Sequence, residues 1–135
     1  MNKVFVDTAA WIAILNSKDA LHQPAKEIQA DLRRQNTYLV TTEFVFLEVA
    51  DAFCVSSTRN QATSFIDGLH LLPILQIIPI SQALYNEGWN LYKQRPDKNW
   101  SLTDCISFIV MMQEGIIKAF TSDRHFEQAG FIKLL

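Results

Sequence analysis

With 135 residues, 49% of them apolar and 19% charged, the chain has the size and composition of one compact domain. A chain of this length buries roughly two-thirds of its unfolded surface, so a single domain over residues 1–135 is expected and an extensively disordered class is excluded. The formal net charge of −2 excludes a general attraction to nucleic acid or acidic membranes, so any basic contact surface has to be local.

In chain order, strands and helices alternate. Residues 4–6 are a short apolar, β-branched run suited to a parallel strand buried on both faces. Asp7 ends this run too early for the apolar core of a signal peptide. Thr8 is placed to cap a helix over residues 9–15. Pro24 fits the first turn of the next helix, which runs to about Gln35 with Arg33 and Arg34 in its last turn, where cations suit the dipole. Residues 38–41 read as the second strand, and Thr42 as the cap of a helix reaching about Cys54. A cap box from Thr58 to Gln61 predicts a helix over residues 60–70. Pro73 and Pro79 bracket residues 74–78 as a short edge strand, because proline cannot donate to a central ladder. Ser81 caps a helix to about Gln94, and a polar loop leads to Trp100. Ser101 and Asp104 form a Ser-x-x-Asp box opening a helix that Gly115 ends. A strand over residues 116–121 delivers Asp123 at its carboxyl end, followed by a helical turn near Phe126 and a last strand over residues 131–134. This order predicts a three-layer α/β/α fold with a central, mostly parallel sheet. Cys54 and Cys105 lack any metal-ligand spacing and read as two core thiols of a reduced, cytoplasmic protein. No apolar run reaches membrane-spanning length.

The acids carry the chemistry. The helix TTEFVFLEVADAFC is apolar nearly all round and contains no Lys or Arg, so Glu48 either reaches solvent or needs a cation as partner. Asp7 and Asp123 end two buried strands, at the edge of a parallel sheet where ligands bind. Asp104 opens a helix that can flank the same edge. Each has a plain structural reading too: Asp7 as a helix cap, Asp104 as half of a cap box, Asp123 as a turn residue. Their joint placement is the informative feature. Four carboxylates in one crevice repel strongly and make sense mainly around a divalent cation. Oxygen-only ligands favour Mg²⁺ or Mn²⁺ over zinc, and one or two such ions, about 3.5–4 Å apart if two, suit phosphodiester hydrolysis.

The segments VDTAAWIAIL, TTEFVFLEVADAF, SLTDCISFIV and KAFTSDRHFEQAGF resemble those of PIN-domain ribonucleases, and are most similar to the VapC toxins of bacterial toxin–antitoxin pairs. The resemblance implies the PIN-like α/β/α fold, an Mg²⁺- or Mn²⁺-dependent endoribonuclease, an RNA substrate and an antitoxin protein as partner. It also implies that Asp7, Glu48, Asp104 and Asp123 are the acidic quartet that binds metal and carries catalysis. Asp7 and Asp104 would hold the cation that activates the attacking water, with Glu48 and Asp123 completing or orienting the site. Thr121 matches a hydroxyl residue that positions the last aspartate, and Thr8 and Ser101 match small polar neighbours. Residues 55–100 match only in general character.

Outside the quartet, Lys93, Arg95 and Lys98 precede Ser101 and are interleaved with Trp89, Tyr92 and Trp100. With Arg124, these cations are candidates for phosphate contacts, the aromatic rings for base contacts; a solvated helix end with core tryptophans explains the same residues. The run LHLLPILQIIPI reads as core or as surface for a homodimer or antitoxin. His125 follows the last acid and is placed to touch RNA, though a lone histidine on a turn is more often structural or exposed; His22 and His70 have no partners in sequence and read as structural or exposed. Three rival readings are a haloacid-dehalogenase-like phosphotransferase, which would need an aspartate where Ala9 stands, a non-catalytic module of the same fold, and a PIN nuclease of RNA processing.

Overall fold

The computed structural model describes residues 2–135. Its core is a five-stranded parallel sheet of β1 (Lys3–Val6), β2 (Tyr38–Thr42), β3 (Leu75–Ile78), β4 (Lys118–Phe120) and β5 (Ile132–Lys133), in the order β3-β2-β1-β4-β5. The helices α1 (Thr8–Leu15), α2 (His22–Arg34), α3 (Glu43–Ala52), α4 (Ser56–Leu69), α5 (Gln82–Gln94), α6 (Leu102–Glu114) and α7 (Arg124–Gln128) make the crossovers. β1 builds outward to β2 and β3, and the chain then returns to the other side of β1 for β4. The reversal falls between β1 and β4, and such a switch point opens a crevice at the strands' carboxyl ends. Val6 pairs with Phe120 in register, and the Asp7 amide continues the ladder to the Phe120 carbonyl at 3.1 Å. Asp7 and Thr121 therefore leave adjacent strands side by side.

The central strands are apolar because both faces are covered: Val4, Phe5, Val6, Val40, Ala119 and Phe120 are all buried. Phe126 on α7 stacks on Phe5 and meets Phe108 of α6 edge-on at 4.9 Å, so the turn after Asp123 is anchored in the core. α5 packs on α6 at very close range through Gly88. A Cβ there would lie 2.3 Å from Ile106 Cγ1, a separation only glycine permits.

Several local expectations hold. Thr42 and Ser81 accept from the amides of Val45 and Leu84 as helix caps, the Ser101–Asp104 capping box is reciprocal, and Gly115 takes φ 66° to end α6. β3 is an edge strand, as its flanking prolines require. Other expectations need correction. Thr8 is not a cap: Asp7 precedes α1, without a side-chain cap bond, and the Thr8 hydroxyl turns elsewhere. α4 begins at Ser56 rather than Asn60. Thr58 bonds back to the carbonyls of Phe53 and Val55, and Gln61 reaches the Leu15 carbonyl instead of closing a box. β4 starts at Lys118 because the Ile116 amide is used in the helix exit, bonding Met111 O at 2.8 Å; β5 is also shorter than expected. Cys105 is buried but Cys54 is exposed, so only one thiol belongs to the core. α3 has a solvent stripe after all, through Leu47, Ala50 and Asp51. Within LHLLPILQIIPI, Leu71, Leu72, Ile74 and Ile80 lie exposed, so much of that run is surface. No helix among the described residues is long and apolar enough to cross a membrane.

Candidate active site

The crevice at the β1/β4 switch point is lined by Asp7, Thr8, Glu48, Asp104, Asp123 and His125, with Asn99 and Ser101 at its rim. All four acids of the quartet meet there. β1 supplies Asp7, which is only 4% exposed. β4 supplies Thr121, whose hydroxyl donates to Asp7 Oδ2 at 2.8 Å and accepts from the Asp123 amide at 3.0 Å. One buried threonine thus fixes two acids on neighbouring strands, one more than expected of it. Glu48 arrives from α3, half-buried, and the Thr8 hydroxyl donates to its Oε1 at 2.6 Å. Asp104 enters on the first turn of α6. Its Oδ2 accepts from the Ser101 amide at 3.2 Å, which makes the capping box part of the site.

His125 completes the cluster. Its Nδ1 lies 3.1 Å from Asp104 Oδ2 and 3.3 Å from Asp123 Oδ1, and its amide donates to the same Asp123 oxygen at 2.8 Å. Sequence reading offered this histidine an RNA contact but no bond to the acids. The available signal was its spacing: two residues after Asp123, at the start of a one-turn helix, a ring folds back over the acid. By contrast, His22 is structural, its ring nitrogen 2.7 Å from the Ala13 carbonyl, and His70 packs edge-on against Phe46.

The electrostatics express crowding and burial. Burial pushes the Asp7 carboxyl from its usual 3.8 up to about 7, against hydrogen bonds from Thr121 and Thr8, with the charges of Asp104 and Glu48 pushing the same way. Asp104 is raised by burial and then by Asp123, while Ser101 and His125 pull it down. Glu48 is raised by burial, relieved by Thr8, and raised again by Asp104 and Asp123. Asp7, Glu48 and Asp104 each feel another acid, and Asp123 is among the charges that raise Glu48 and Asp104, so the cluster is electrostatically linked. Among the described residues no Lys or Arg pairs with any of them; His125 is the only basic side chain in contact.

That donor set fits a hard divalent cation. One ligand atom each from Asp104, Asp123 and His125 lie within 4.8 Å of one another; Asp7 and Glu48 line the same crevice but stand outside that group. Every carboxylate has one oxygen tied to the fold: Asp7 by Thr121, Glu48 by Thr8, Asp104 by Ser101, Asp123 by the His125 amide. The second oxygen of each has no further side-chain partner among the described residues, so the cluster is held in place yet incompletely coordinated. Hydroxyl and amide donors orienting carboxylates in this way are the usual outer support of a metal site.

The basic candidates lie outside this cleft. Arg124 is exposed at the start of α7. Arg95 is not a free cation: it forms a two-pronged pair with Asp97, both bonds 3.0 Å, and lies 4.9 Å over the Trp100 ring. Trp100 is not surface either, being 6% exposed, bonded through Nε1 to Gln128 and edge-on to Phe108. Lys93, Trp89 and Tyr92 are open to solvent and Lys98 is half-buried, beside a groove next to the cleft.

Comparison with known proteins agrees with this geometry. Residues 4–132 match the family model described as the PIN domain. The chain is 26% identical over 133 residues, 97% of both chains, to the 23S rRNA-specific endonuclease VapC20 of Mycobacterium tuberculosis. The crystal structure of that VapC20, a Sarcin-Ricin loop cleaving toxin, superposes with a TM-score of 0.85 over 96% of both chains. Two more distant structures share the fold at a TM-score of 0.65. One is FitAcB from Neisseria gonorrhoeae, 16% identical over 96% of this chain and 95% of that one. The other is VapBC2 from Rickettsia felis bound to a DNA fragment from their promoter, 18% identical over 97% and 96%.

Proposed function

The chain belongs to the PIN-domain family, and from that premise we propose that it is a metal-dependent endoribonuclease, the toxin half of a toxin–antitoxin pair, with residues 1–135 acting as one nuclease domain. The observation that carries this reading is the convergence of Asp7, Glu48, Asp104 and Asp123 on one crevice with no Lys or Arg partner among the described residues. An uncompensated acidic cluster at a switch point is costly to hold unless a cation and an anionic substrate complete it. The likeness to a 23S rRNA-specific endonuclease over nearly the whole chain supports RNA as the substrate.

Asp7, Asp104 and Asp123 would hold Mg²⁺ or Mn²⁺, one ion or two, with Glu48 at the edge of the coordination sphere. The bound cation supplies Lewis-acid polarisation of the phosphodiester and lowers the pKa of water, so that hydrolysis proceeds near neutrality. The chain's own residues set the geometry. Thr121 holds Asp7 and Asp123 at a fixed separation, and the Ser101 capping box fixes the Asp104 rotamer. Thr8 keeps Glu48 turned into the cleft and, by donating to it, favours its ionised form. The His125 ring between Asp104 and Asp123 blunts their repulsion while the cleft is empty of substrate.

An antitoxin protein is the proposed partner, in line with the toxin that this chain is similar to, and a homodimer is the proposed assembly. Exposed Leu71, Leu72, Ile74 and Ile80 offer apolar surface for such contacts. An RNA substrate places the work in the cytoplasm.

Cleavage of total RNA by the purified protein in Mn²⁺, in EDTA and as Asp104→Asn tests the reading. Activity should require the metal and be abolished in the variant, with an unchanged circular dichroism spectrum. Wild-type cleavage by Asp104→Asn would overturn the assignment.

A further inference from the structure

Beside the acidic cleft lies a second groove, built from the carboxyl end of α5 and the α5–α6 loop and lined by Trp89, Tyr92, Lys93, Lys98, Asn99 and Cys105, together with the Arg95–Trp100 wall. Asn99 lines both this groove and the acidic cleft. Groove and cleft share this one lining residue, which stands two positions before the cap of the helix carrying Asp104.

The walls of this groove have an unusual composition for exposed surface. Tyr85, Trp89 and Tyr92 occupy one face of α5 at i, i+4 and i+7 spacing. Their rings stack nearly parallel, with interplanar angles of 7° and 11° and centroids 6.4 and 5.6 Å apart. All three are more than 40% exposed. Aromatic rings held on a rigid helix lose little freedom when another flat ring is added to them. The helix is rigid here because Gly88 seats it directly on α6.

The charge beside these rings is positive although the whole chain is not. Arg95 and Asp97 cancel one another in their two-pronged pair. That pair, with the turn closed by the Lys98 amide on the Arg95 carbonyl at 3.1 Å, shapes the loop. Lys93 has no carboxylate partner among the described residues, and Lys98 comes only within 4.0 Å of the already engaged Asp97. Two lysines therefore flank an aromatic wall, and an acidic, cation-binding cleft opens at the other end. A ligand that presents a flat ring and phosphates together, and reaches into a cation site, is a nucleic-acid strand with an unpaired base.

We propose that this groove is a nucleotide subsite: it holds an unpaired base of the RNA against Trp89 and Tyr92 and the adjoining phosphates at Lys93 and Lys98, and the strand passes Asn99 to bring the next phosphodiester to the acids. The proposal rests on the ribonuclease reading and deepens it, since it makes the substrate an RNA that is single-stranded next to the cut. Arg95 serves here as a positioning residue for the loop, not as a phosphate contact.

The test measures binding of a fluorescein-labelled 12-nucleotide oligoadenylate and of a blunt 12-base-pair RNA duplex by anisotropy in Mg²⁺, all in the cleavage-deficient Asp104→Asn background, for that protein alone and with Trp89→Ala, Tyr92→Ala, Trp89→Phe or the Lys93→Ala/Lys98→Ala pair added. The single strand should bind better than the duplex. Each alanine at a ring should weaken single-strand binding roughly 5- to 100-fold, the range for losing one base stack, while Trp89→Phe restores most of it. The lysine pair should reduce the salt slope by about 1.4, that is, two phosphate contacts on a single strand. Thermal melts establish that each variant folds, and light scattering reports its oligomeric state. Unchanged single-strand affinity in both ring variants overturns the subsite. So does a Trp89→Ala protein that loses only self-association, which would make the aromatic face a contact between copies. The nuclease reading is judged separately, by Asp104→Asn cleavage, so a failed subsite leaves it standing.

Discussion

Asp7→Asn in the metal-free protein isolates what the acidic cluster costs the fold. The Asp7 carboxyl is raised from 3.8 to about 7 by burial and by its acidic neighbours. Between those two values the folded chain keeps a proton that the unfolded chain has released, so stability declines as pH rises, by about 1.4 kcal/mol per pH unit. Over the window from 3.8 to about 7 the loss sums to about 4 kcal/mol, fully developed above the folded value and absent below the unfolded one. Asparagine cannot ionise, yet its carbonyl still accepts the Thr121 hydroxyl, so the variant should escape this loss without leaving that donor unpaired. Near pH 4 wild type and variant should melt together. Near pH 8 in EDTA the variant should be more stable by as much as about 4 kcal/mol, a rise of up to roughly 15 °C for a domain of this size.

A cation reverses the comparison. Mn²⁺ at tenfold excess over its dissociation constant would stabilise the folded protein by about 1.4 kcal/mol, and in the proposed site the charge that repels its neighbours is also the one that would bind the ion. Wild type should therefore gain several degrees from millimolar Mn²⁺, and Asp7→Asn little or nothing. The assay is a set of thermal melts of both proteins across pH, each in EDTA and in Mn²⁺. Parallel pH profiles, or equal responses to metal, would refute the reasoning by showing that Asp7 is neither strained by its neighbours nor a ligand.

Thr8→Val removes the hydroxyl that donates to Glu48 Oε1 while keeping the shape of the side chain; the Mn²⁺ concentration for half-maximal cleavage should rise about 10-fold, and the ascending limb of the pH–activity curve should move upward, because Glu48 loses a bond that favours its charged form. An unmoved limb would mean that Glu48 is not part of the ionising unit. Gly88→Ala should lower stability in urea by about 1–2 kcal/mol in spite of alanine's better helix propensity, since the added methyl meets Ile106 at the α5–α6 contact. A stabilised Gly88→Ala protein would show that the two helices can separate freely.

The features legible in the sequence were those whose cause is local. Residues 4–6 are apolar because both faces of a central parallel strand are covered, and the prolines around β3 exclude it from the middle of the sheet. Ser101, Asp104 and Gly115 mark α6 because capping depends on atoms within a few residues. What escaped was set by partners brought from elsewhere in the chain. Thr8 has the look of a cap, but α3 delivers Glu48 to its hydroxyl across 40 positions. Gln61 mimics half of a cap box and instead bonds a carbonyl 46 positions away. Trp100 reads as an aromatic wall because nothing nearby says that Phe108 and Gln128 will enclose it. His125 sits beside Asp123 in sequence, yet its value to the site lies in Asp104, 21 positions earlier.

Asp104 shows why a structural and a chemical reading of one residue need not compete. As half of a capping box it needs one oxygen, and Oδ2 supplies it by accepting from the Ser101 amide. That bond, with the reciprocal one from the Asp104 amide to the Ser101 hydroxyl at 3.0 Å, fixes the side chain on the first turn of α6. Oδ1 is left without a partner among the described residues, in a cleft that Asp7, Glu48 and Asp123 also enter. A carboxylate held by one oxygen has already lost the rotamer freedom that binding would otherwise have to remove, so in the proposed metal site part of its cation affinity would come from the cap. Ser101→Pro separates the two contributions: proline suits the Ser101 φ of −71° but lacks the amide that donates to Oδ2, so with no acid substituted it should weaken Mn²⁺ binding about 10-fold by freeing the Asp104 side chain. Undiminished metal affinity in a folded Ser101→Pro protein would show that the box serves the helix alone.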